Sequence, residues 1–98
     1  MMTVADDWLA RTEAVLSQVE DPEVGMNIVH LGLVYDISLS SDQTLAVIIT
    51  TTTRGCPMAG FLLDAVRAAL EAAGIAPQVS VALTYDPLWT PERMRQSG

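Results

Sequence analysis

The amino-acid sequence predicts a small α+β domain with two layers, in which helices cover one face of a mixed three-stranded sheet. Two spacings of apolar residues alternate along the chain: three- and four-residue steps, typical of amphipathic helices, and two-residue steps, typical of strands. Turn-forming residues separate these segments into the order α-β-β-α-β. A strand–helix–strand connection is right-handed, so we expect the last strand to lie parallel to a neighbour. The 98 residues are expected to form one domain, residues 1–98.

Residues 4–19 form the first predicted helix. Thr3 is expected to cap it, and Pro22 to end it, because proline disfavours helical geometry in the residue before it. The apolar stripe of this helix comprises Ala5, Trp8, Leu9, Thr12, Val15, Leu16 and Val19.

Two strands, residues 33–39 and 44–53, are predicted to form an antiparallel hairpin around the turn at residues 40–43. Strict alternation would place one set of side chains on one face, namely Leu33, Tyr35, Ile37 and Leu39 of the first strand and Leu45, Val47, Ile49 and Thr51 of the second.

The second predicted helix runs from Pro57 to Ala73 and ends at Gly74. A third strand, residues 78–85, follows it. The tail at residues 90–96 is expected to form a short C-terminal helix, and Trp89 to anchor that tail.

The charge balance excludes several classes of function. The chain has twelve acidic residues against five arginines and no lysine, for a net charge of −7. A nucleic-acid binder needs a basic surface, and Schiff-base or P-loop chemistry needs a lysine. An anionic membrane surface is also an unfavourable partner. Asp6 and Asp7 stand where a secretory signal would be basic, so we expect a cytoplasmic protein.

Cys56 is the main candidate for a functional residue. If Pro57 is the first helical residue, Cys56 is the N-cap, and the helix dipole with its unpaired N–H groups favours the thiolate. Thiolates attack electrophiles and bind soft metals. The alternative is that Cys56 is a small buried apolar residue.

Four further residues are candidates, each with a structural alternative. Asp21 and Glu23 either approach Cys56 or merely end the first helix with solvated carboxylates. Thr52 either lines a pocket beside Cys56 or reflects strand propensity. His30 is a remote candidate for a nucleophilic dyad with Cys56, or a histidine packed in its loop.

Four ordered motifs resemble the PaaD/SufT-like family of small metal–sulfur cluster assembly factors, over residues 19–94. The motifs are Val19-Glu20-Asp21-Pro22-Glu23, Asn27-Ile28-Val29 with Leu31-Gly32-Leu33-Val34-Tyr35, Thr52-Thr53-Arg54-Gly55-Cys56-Pro57-Met58, and Trp89-Thr90-Pro91-Glu92-Arg93-Met94.

The resemblance implies the compact α/β fold and a role in maturing iron–sulfur proteins, or in supporting oxygenases that carry clusters. It implies that Cys56 is the family's cysteine and metal ligand, and that Asp21, Glu23 and Thr52 belong to its site. His30 and Arg54 depart from the family pattern, where an aspartate and a proline or small residue are usual. The cysteine-rich C-terminal extension of the phenylacetate-pathway members is missing, which argues against that particular role.

A cluster normally takes about four protein ligands, mostly thiolates, and this chain has one cysteine. We therefore expect a transient iron–sulfur cluster or iron, shared with a second subunit in a homodimer, a client protein or a small thiol. We expect that the protein is not an enzyme. Two alternatives remain: an adaptor that docks a partner through an apolar patch near Trp89 and Met94, with Cys56 structural, and a thiol enzyme.

Overall fold

A computed structural model describes residues 6–53 and 57–94 of the chain. The predicted order of elements is confirmed, with a 3₁₀ helix at Pro91–Arg93 in place of the short C-terminal helix. The elements are α1 (Trp8–Leu16), β1 (Val34–Leu39), β2 (Thr44–Ile49), α2 (Ala59–Ala73) and β3 (Gln78–Leu83).

The sheet has β2 in the centre, with β1 antiparallel and β3 parallel to it. Leu39 lies opposite Leu45, and Thr44 lies opposite Gln78. The predicted parallel crossover through α2 is therefore confirmed. Because β2 and β3 run in the same direction, their carboxyl ends meet at one edge of the molecule.

The core lies between one face of the sheet and the two helices. Its buried side chains come from alternate positions of β2 and from helical stripes, as a half-covered sheet requires. They include Leu45, Val47 and Ile49 of β2, Leu62, Val66 and Leu70 of α2, and Thr12 and Leu16 of α1. The opposite face carries small and polar side chains that are exposed on the outer strands, among them Asp36, Ser38, Ser80 and Ala82.

Helix α1 is shorter than predicted. It begins at Trp8 with Asp7 as its N-cap, and Asp7 makes no side-chain capping bond. The proposed cap, Thr3, lies outside the described residues. Thr12 and Leu16 are buried as the stripe predicts, whereas Leu9 is 43% exposed. Within the two described ranges, no helix combines the length and the apolar character needed to cross a membrane.

Strict alternation fails at two places in the hairpin. Val34 pairs with Ile49 and Asp36 with Ile48, so that Tyr35 is an extra residue in a β-bulge. The bulge puts Val34, rather than Tyr35, opposite the core residue Ile49. Strand β2 ends at Ile49 and not at Thr53 as predicted, although the backbone N–H of Thr50 still bonds to the carbonyl of Leu33 across the hairpin.

The tail folds back on the loop that precedes β1. The indole Nε1–H of Trp89 donates to the carbonyl oxygen of Leu31 at 2.6 Å, so the anchoring role predicted for Trp89 is confirmed. Trp89 and Met94 are half-buried and pack against the core. The docking patch of the adaptor alternative, near Trp89 and Met94, stays a prediction: these two side chains help to hold the tail, and the neighbouring Leu88 is 53% exposed.

Candidate functional site

The candidate site lies where the chain leaves the carboxyl end of β2. At this edge the backbone N–H of Thr84 donates to the carbonyl of Ile49 at 2.9 Å, which extends the pairing of β2 with β3 by one residue. Residues 50–53 then turn away from the sheet toward α2. The segment that leads toward Cys56 therefore starts beside the residues that follow β3.

Thr51 joins these two segments through side-chain hydrogen bonds. Its side chain is buried, with 2% of the residue exposed. The Thr51 hydroxyl donates to the carbonyl oxygen of Thr53 at 2.7 Å. The hydroxyl of Tyr85 is 3.0 Å from the same oxygen of Thr51. Since Thr51 has one hydroxyl hydrogen and a carbonyl can only accept, the Tyr85 phenol is the donor to Thr51.

The other threonines of this run are placed differently. Thr50 is fully buried, and its hydroxyl has no hydrogen-bond partner within the described part of the chain. Thr52, the predicted pocket residue, is half-buried. Its place beside Cys56 stays a prediction, whereas Thr51 is the residue whose hydroxyl shapes the segment.

The acidic motif forms a compact turn around Asp21. This residue is 3% exposed, and its Oδ1 accepts hydrogen bonds from the backbone N–H groups of Glu23 at 2.8 Å and Val24 at 3.2 Å. The backbone N–H of Asp21 donates to the carbonyl of Met26, and its own carbonyl accepts from Gly25. The Asp21 carboxylate therefore organises its own turn, and Glu23 is left on the outside with an exposed side chain.

Backbone hydrogen bonds connect the acidic turn to the end of β2. Ile28 N–H donates to the Val19 carbonyl, Leu33 N–H to the Ile28 carbonyl, and Thr50 N–H to the Leu33 carbonyl, each at 2.9 Å. The base of the turn is thus linked, residue by residue, to the segment that leads to Cys56. An approach of the Asp21 or Glu23 carboxylate to the cysteine remains a prediction.

Cys56 itself, with Arg54 and Gly55, lies outside the described residues. The helix after it is shorter than predicted: α2 begins at Ala59, with Met58 as its N-cap, and the Met58 carbonyl accepts from Leu62 N–H at 3.0 Å. The prediction that Pro57 opens the helix and Cys56 caps it is wrong. Proline fixes only its own φ and serves equally well in a turn before a helix, which is where Pro57 lies.

His30 lies in the loop that the tail covers. It is half-buried, and its backbone N–H donates to Asn27 Oδ1 at 2.8 Å. A dyad with Cys56 stays an untested alternative. Over residues 6–53 and 57–94, no three His, Asp or Glu side chains are grouped in a way that could hold a metal ion.

Sequence reasoning missed Tyr85 and chose Thr52 over Thr51. Thr51 was assigned to the core face of a strand, and its burial fits that assignment. Its hydrogen bond to Tyr85 spans 34 positions of sequence, and no local pattern predicts such a pair. The one available signal was the place of Tyr85 at the end of a strand parallel to the one that leads to Cys56.

The chain belongs to a family of iron–sulfur cluster assembly proteins, whose family model matches residues 10–85. This confirms the resemblance drawn from the four motifs. The protein is 39% identical to the Fe-S protein maturation auxiliary factor YitW of Bacillus subtilis, over 81% of this chain and 78% of the relative. It is 36% identical to the Fe-S protein maturation auxiliary factor SufT of Staphylococcus aureus, over 78% of this chain and 86% of the relative.

Two further comparisons define the fold and the breadth of the family. The crystal structure of a domain of unknown function from Bacillus anthracis superposes with a TM-score of 0.85 and 34% identity, covering 93% of this chain and 87% of the other. A putative 1,2-phenylacetyl-CoA epoxidase component of Escherichia coli is 34% identical over 100% of this chain, which spans 64% of that relative.

Proposed function

We propose that this protein is an auxiliary factor that helps to mature iron–sulfur proteins by handing a cluster, or its iron, to client proteins through Cys56. The proposal is carried by the identity of 39% to a relative named as an Fe-S protein maturation auxiliary factor. The position of the chain's one cysteine three residues after the segment tied down by Thr51 supports it.

The number of thiolates favours handover over storage. Clusters are held by about four protein ligands, most of them cysteines, and this chain supplies one. The remaining ligands come from the client, from a small thiol, or from Cys56 of a second subunit in a homodimer. A cluster held by so few ligands leaves easily, which suits cargo in transit and would be a defect in an electron carrier.

The site residues have distinct roles in this proposal. Cys56 binds the iron as a thiolate. Asp21 shapes the acidic turn through its two backbone hydrogen bonds, and exposed Glu23 and half-buried Thr52 face the client or its iron. The protein acts without turnover of a substrate, in a reducing compartment such as the cytoplasm, where a lone cysteine stays free.

A second candidate function is a non-catalytic adaptor for a multicomponent oxygenase, with Cys56 structural. The similarity to the epoxidase component favours it. Because Trp89 holds the tail, the exposed residue with which to test docking is its neighbour Leu88, which is 53% exposed. In an adaptor, Leu88→Ser weakens partner pull-down and Cys56→Ala leaves it intact.

The proposed function is tested by anaerobic cluster transfer. Wild type, Cys56→Ser and the control Ser80→Ala, on the exposed sheet face, are reconstituted with iron and sulfide and mixed with an apo iron–sulfur enzyme. Wild type and Ser80→Ala are expected to show sulfur-to-iron charge-transfer absorption and to speed recovery of client activity, and Cys56→Ser to do neither. Equal behaviour of wild type and Cys56→Ser in both assays would overturn the proposal.

A further inference from the structure

We propose that Tyr85 is a positioning residue for cluster handover: through Thr51, its hydroxyl holds Thr53 and the segment that leads to Cys56. The inference rests on the proposed function and adds a residue outside its motifs. The contacts that carry it are the two hydrogen bonds in series, from the Tyr85 phenol to Thr51 Oγ1 at 3.0 Å and from Thr51 to the Thr53 carbonyl at 2.7 Å.

Burial makes these two bonds consequential. Thr51 is almost entirely shielded from solvent, so a water molecule cannot readily replace a hydrogen-bond partner that is removed from its hydroxyl. Loss of the phenol leaves a buried acceptor unpaired, and the segment relaxes to find another arrangement. The Tyr85–Thr51 hydrogen bond also joins residues 34 positions apart. It links the segment after β3 to the segment after β2 through side chains, in addition to the strand pairing.

The residues on both sides of positions 54–56 are held by hydrogen bonds. Thr53 is fixed by Thr51 on one side, and on the other the Met58 carbonyl accepts the first hydrogen bond of α2 from Leu62. Three residues, 54–56, connect Thr53 to Pro57. A chain spans at most about 3.3–3.6 Å per residue, so the position of Thr53 restricts where the cysteine can be. Releasing Thr53 widens that range.

The chain supplies a matched control, since it has two tyrosines. The hydroxyl of Tyr35 is also buried, but it has no hydrogen-bond partner in the part of the chain that the structure covers. Tyr35→Phe therefore removes the same atom as Tyr85→Phe without breaking a hydrogen bond. Replacing a buried, unpaired hydroxyl is expected to leave the fold intact.

The experiment compares Tyr85→Phe, Thr51→Val, the double variant, Thr51→Ser and Tyr35→Phe in the full chain. Iodoacetamide alkylation of Cys56 is timed across a range of pH, well below each variant's unfolding temperature, and cluster transfer is measured in parallel. We expect Tyr85→Phe and Thr51→Val to alkylate about two- to tenfold faster, the factor for one lost hydrogen bond, and to transfer cluster more slowly by a similar factor.

Opposed changes are expected for a positioning residue, because a less restrained segment would react faster with a small reagent and would present the thiol to a client less often. The double variant is expected to match the more affected single variant, since both substitutions break one connected pair. Tyr35→Phe and Thr51→Ser, which keeps the hydroxyl, should match the wild type.

Wild-type alkylation rates in both Tyr85→Phe and Thr51→Val, or effects that simply add in the double variant, would overturn the inference. If Tyr85→Phe does not fold, Thr51→Val against Thr51→Ser decides the question. Failure of the proposed function shows separately, as normal client maturation by Cys56→Ser. Failure of the positioning role shows as unchanged alkylation, whatever Cys56→Ser does.

Discussion

At Gly32 the chain has no room for a side chain. A Cβ built there would lie 2.1 Å from the backbone oxygen of Arg93 and 2.7 Å from its carbonyl carbon, and φ is +75°. Arg93 belongs to the 3₁₀ helix of the tail, and its guanidinium lies 4.9 Å from the centre of the Tyr35 ring. The absence of a side chain at Gly32 thus allows the tail to close over the loop before β1.

Gly32→Ala is therefore expected to destabilise the protein by about 3 kcal/mol or more, since the clash involves backbone that cannot rotate away. Gly25 is the matched control, with φ of +79° and nothing within 4 Å of a new Cβ. Gly25→Ala should lower the free energy of unfolding by only about 1–2 kcal/mol, the strain of placing alanine at a positive φ. Urea unfolding of both variants measures the difference, and equal losses would contradict the tight contact at Arg93.

Asp21 can serve as a structural acceptor, as a charge, or as both, and substitutions separate these roles. Asp21→Asn keeps the acceptor for the N–H groups of Glu23 and Val24, and should change stability little. Asp21→Ala leaves both N–H groups without an acceptor and should lower the free energy of unfolding by about 1–2 kcal/mol. If cluster transfer falls in Asp21→Asn at unchanged stability, the charge is functional. Normal transfer in that variant would assign Asp21 to the turn alone.

Among the elements, the turn between β1 and β2 has a charge whose effect depends on pH. The side-chain hydroxyls of Ser40 and then Thr44, with the Thr44 backbone N–H, hold the pKa of Asp42 below its ordinary value of 3.8. A carboxyl whose pKa is lower in the folded state stabilises the fold above the ordinary value. It loses that contribution as the pH falls through the folded-state pKa.

Wild type should therefore be more stable than Asp42→Asn at about pH 7, and the gap should close as the pH falls below about 4. Denaturant unfolding across this range checks the prediction. A gap that persists in strong acid would show that the amide differs from the carboxylate for reasons other than charge.

The number, kind and order of the elements could be predicted because apolar spacing is a local property. The ends could not. Strand β2 stops at Ile49 although four threonines of high strand propensity follow it, and the side chain of Thr51 instead bonds to Thr53 and to Tyr85, which lies 34 positions away. The bulge at Tyr35 likewise depends on which residues of β2 lie opposite, and strand propensity does not contain that information.

At the candidate site, the turn at Asp21 could be predicted for the same reason. The turn chemistry at Asp21 is local, and the structure places that residue in a tight turn. The helix-cap argument for Cys56 failed because one proline does not determine whether a helix begins at 57 or 59. The pairing of Thr51 with Tyr85 exists only once the sheet has formed.

At the scale of the whole molecule, the tail joins distant parts of the chain through Trp89. Trp89→Phe keeps an aromatic ring but removes the donor to the carbonyl of Leu31, a residue that is almost fully buried. We expect a loss of about 1–3 kcal/mol in the free energy of unfolding. Leu88→Ala, at the exposed neighbouring position, should change stability little. Equal stability of Trp89→Phe and wild type would show that packing alone holds the tail.

The parallel arrangement of β2 and β3 has a consequence for the newly made polypeptide. Synthesis delivers Cys56 before Tyr85, and the two partners of the Thr51 bond meet only after the intervening helix and strand have left the ribosome. If Cys56 binds iron as proposed, its thiol is available in that interval before the Tyr85–Thr51 hydrogen bond has formed. Under the proposed function, a chain that stalls before residue 85 has the cysteine but lacks the tyrosine that holds the segment before it.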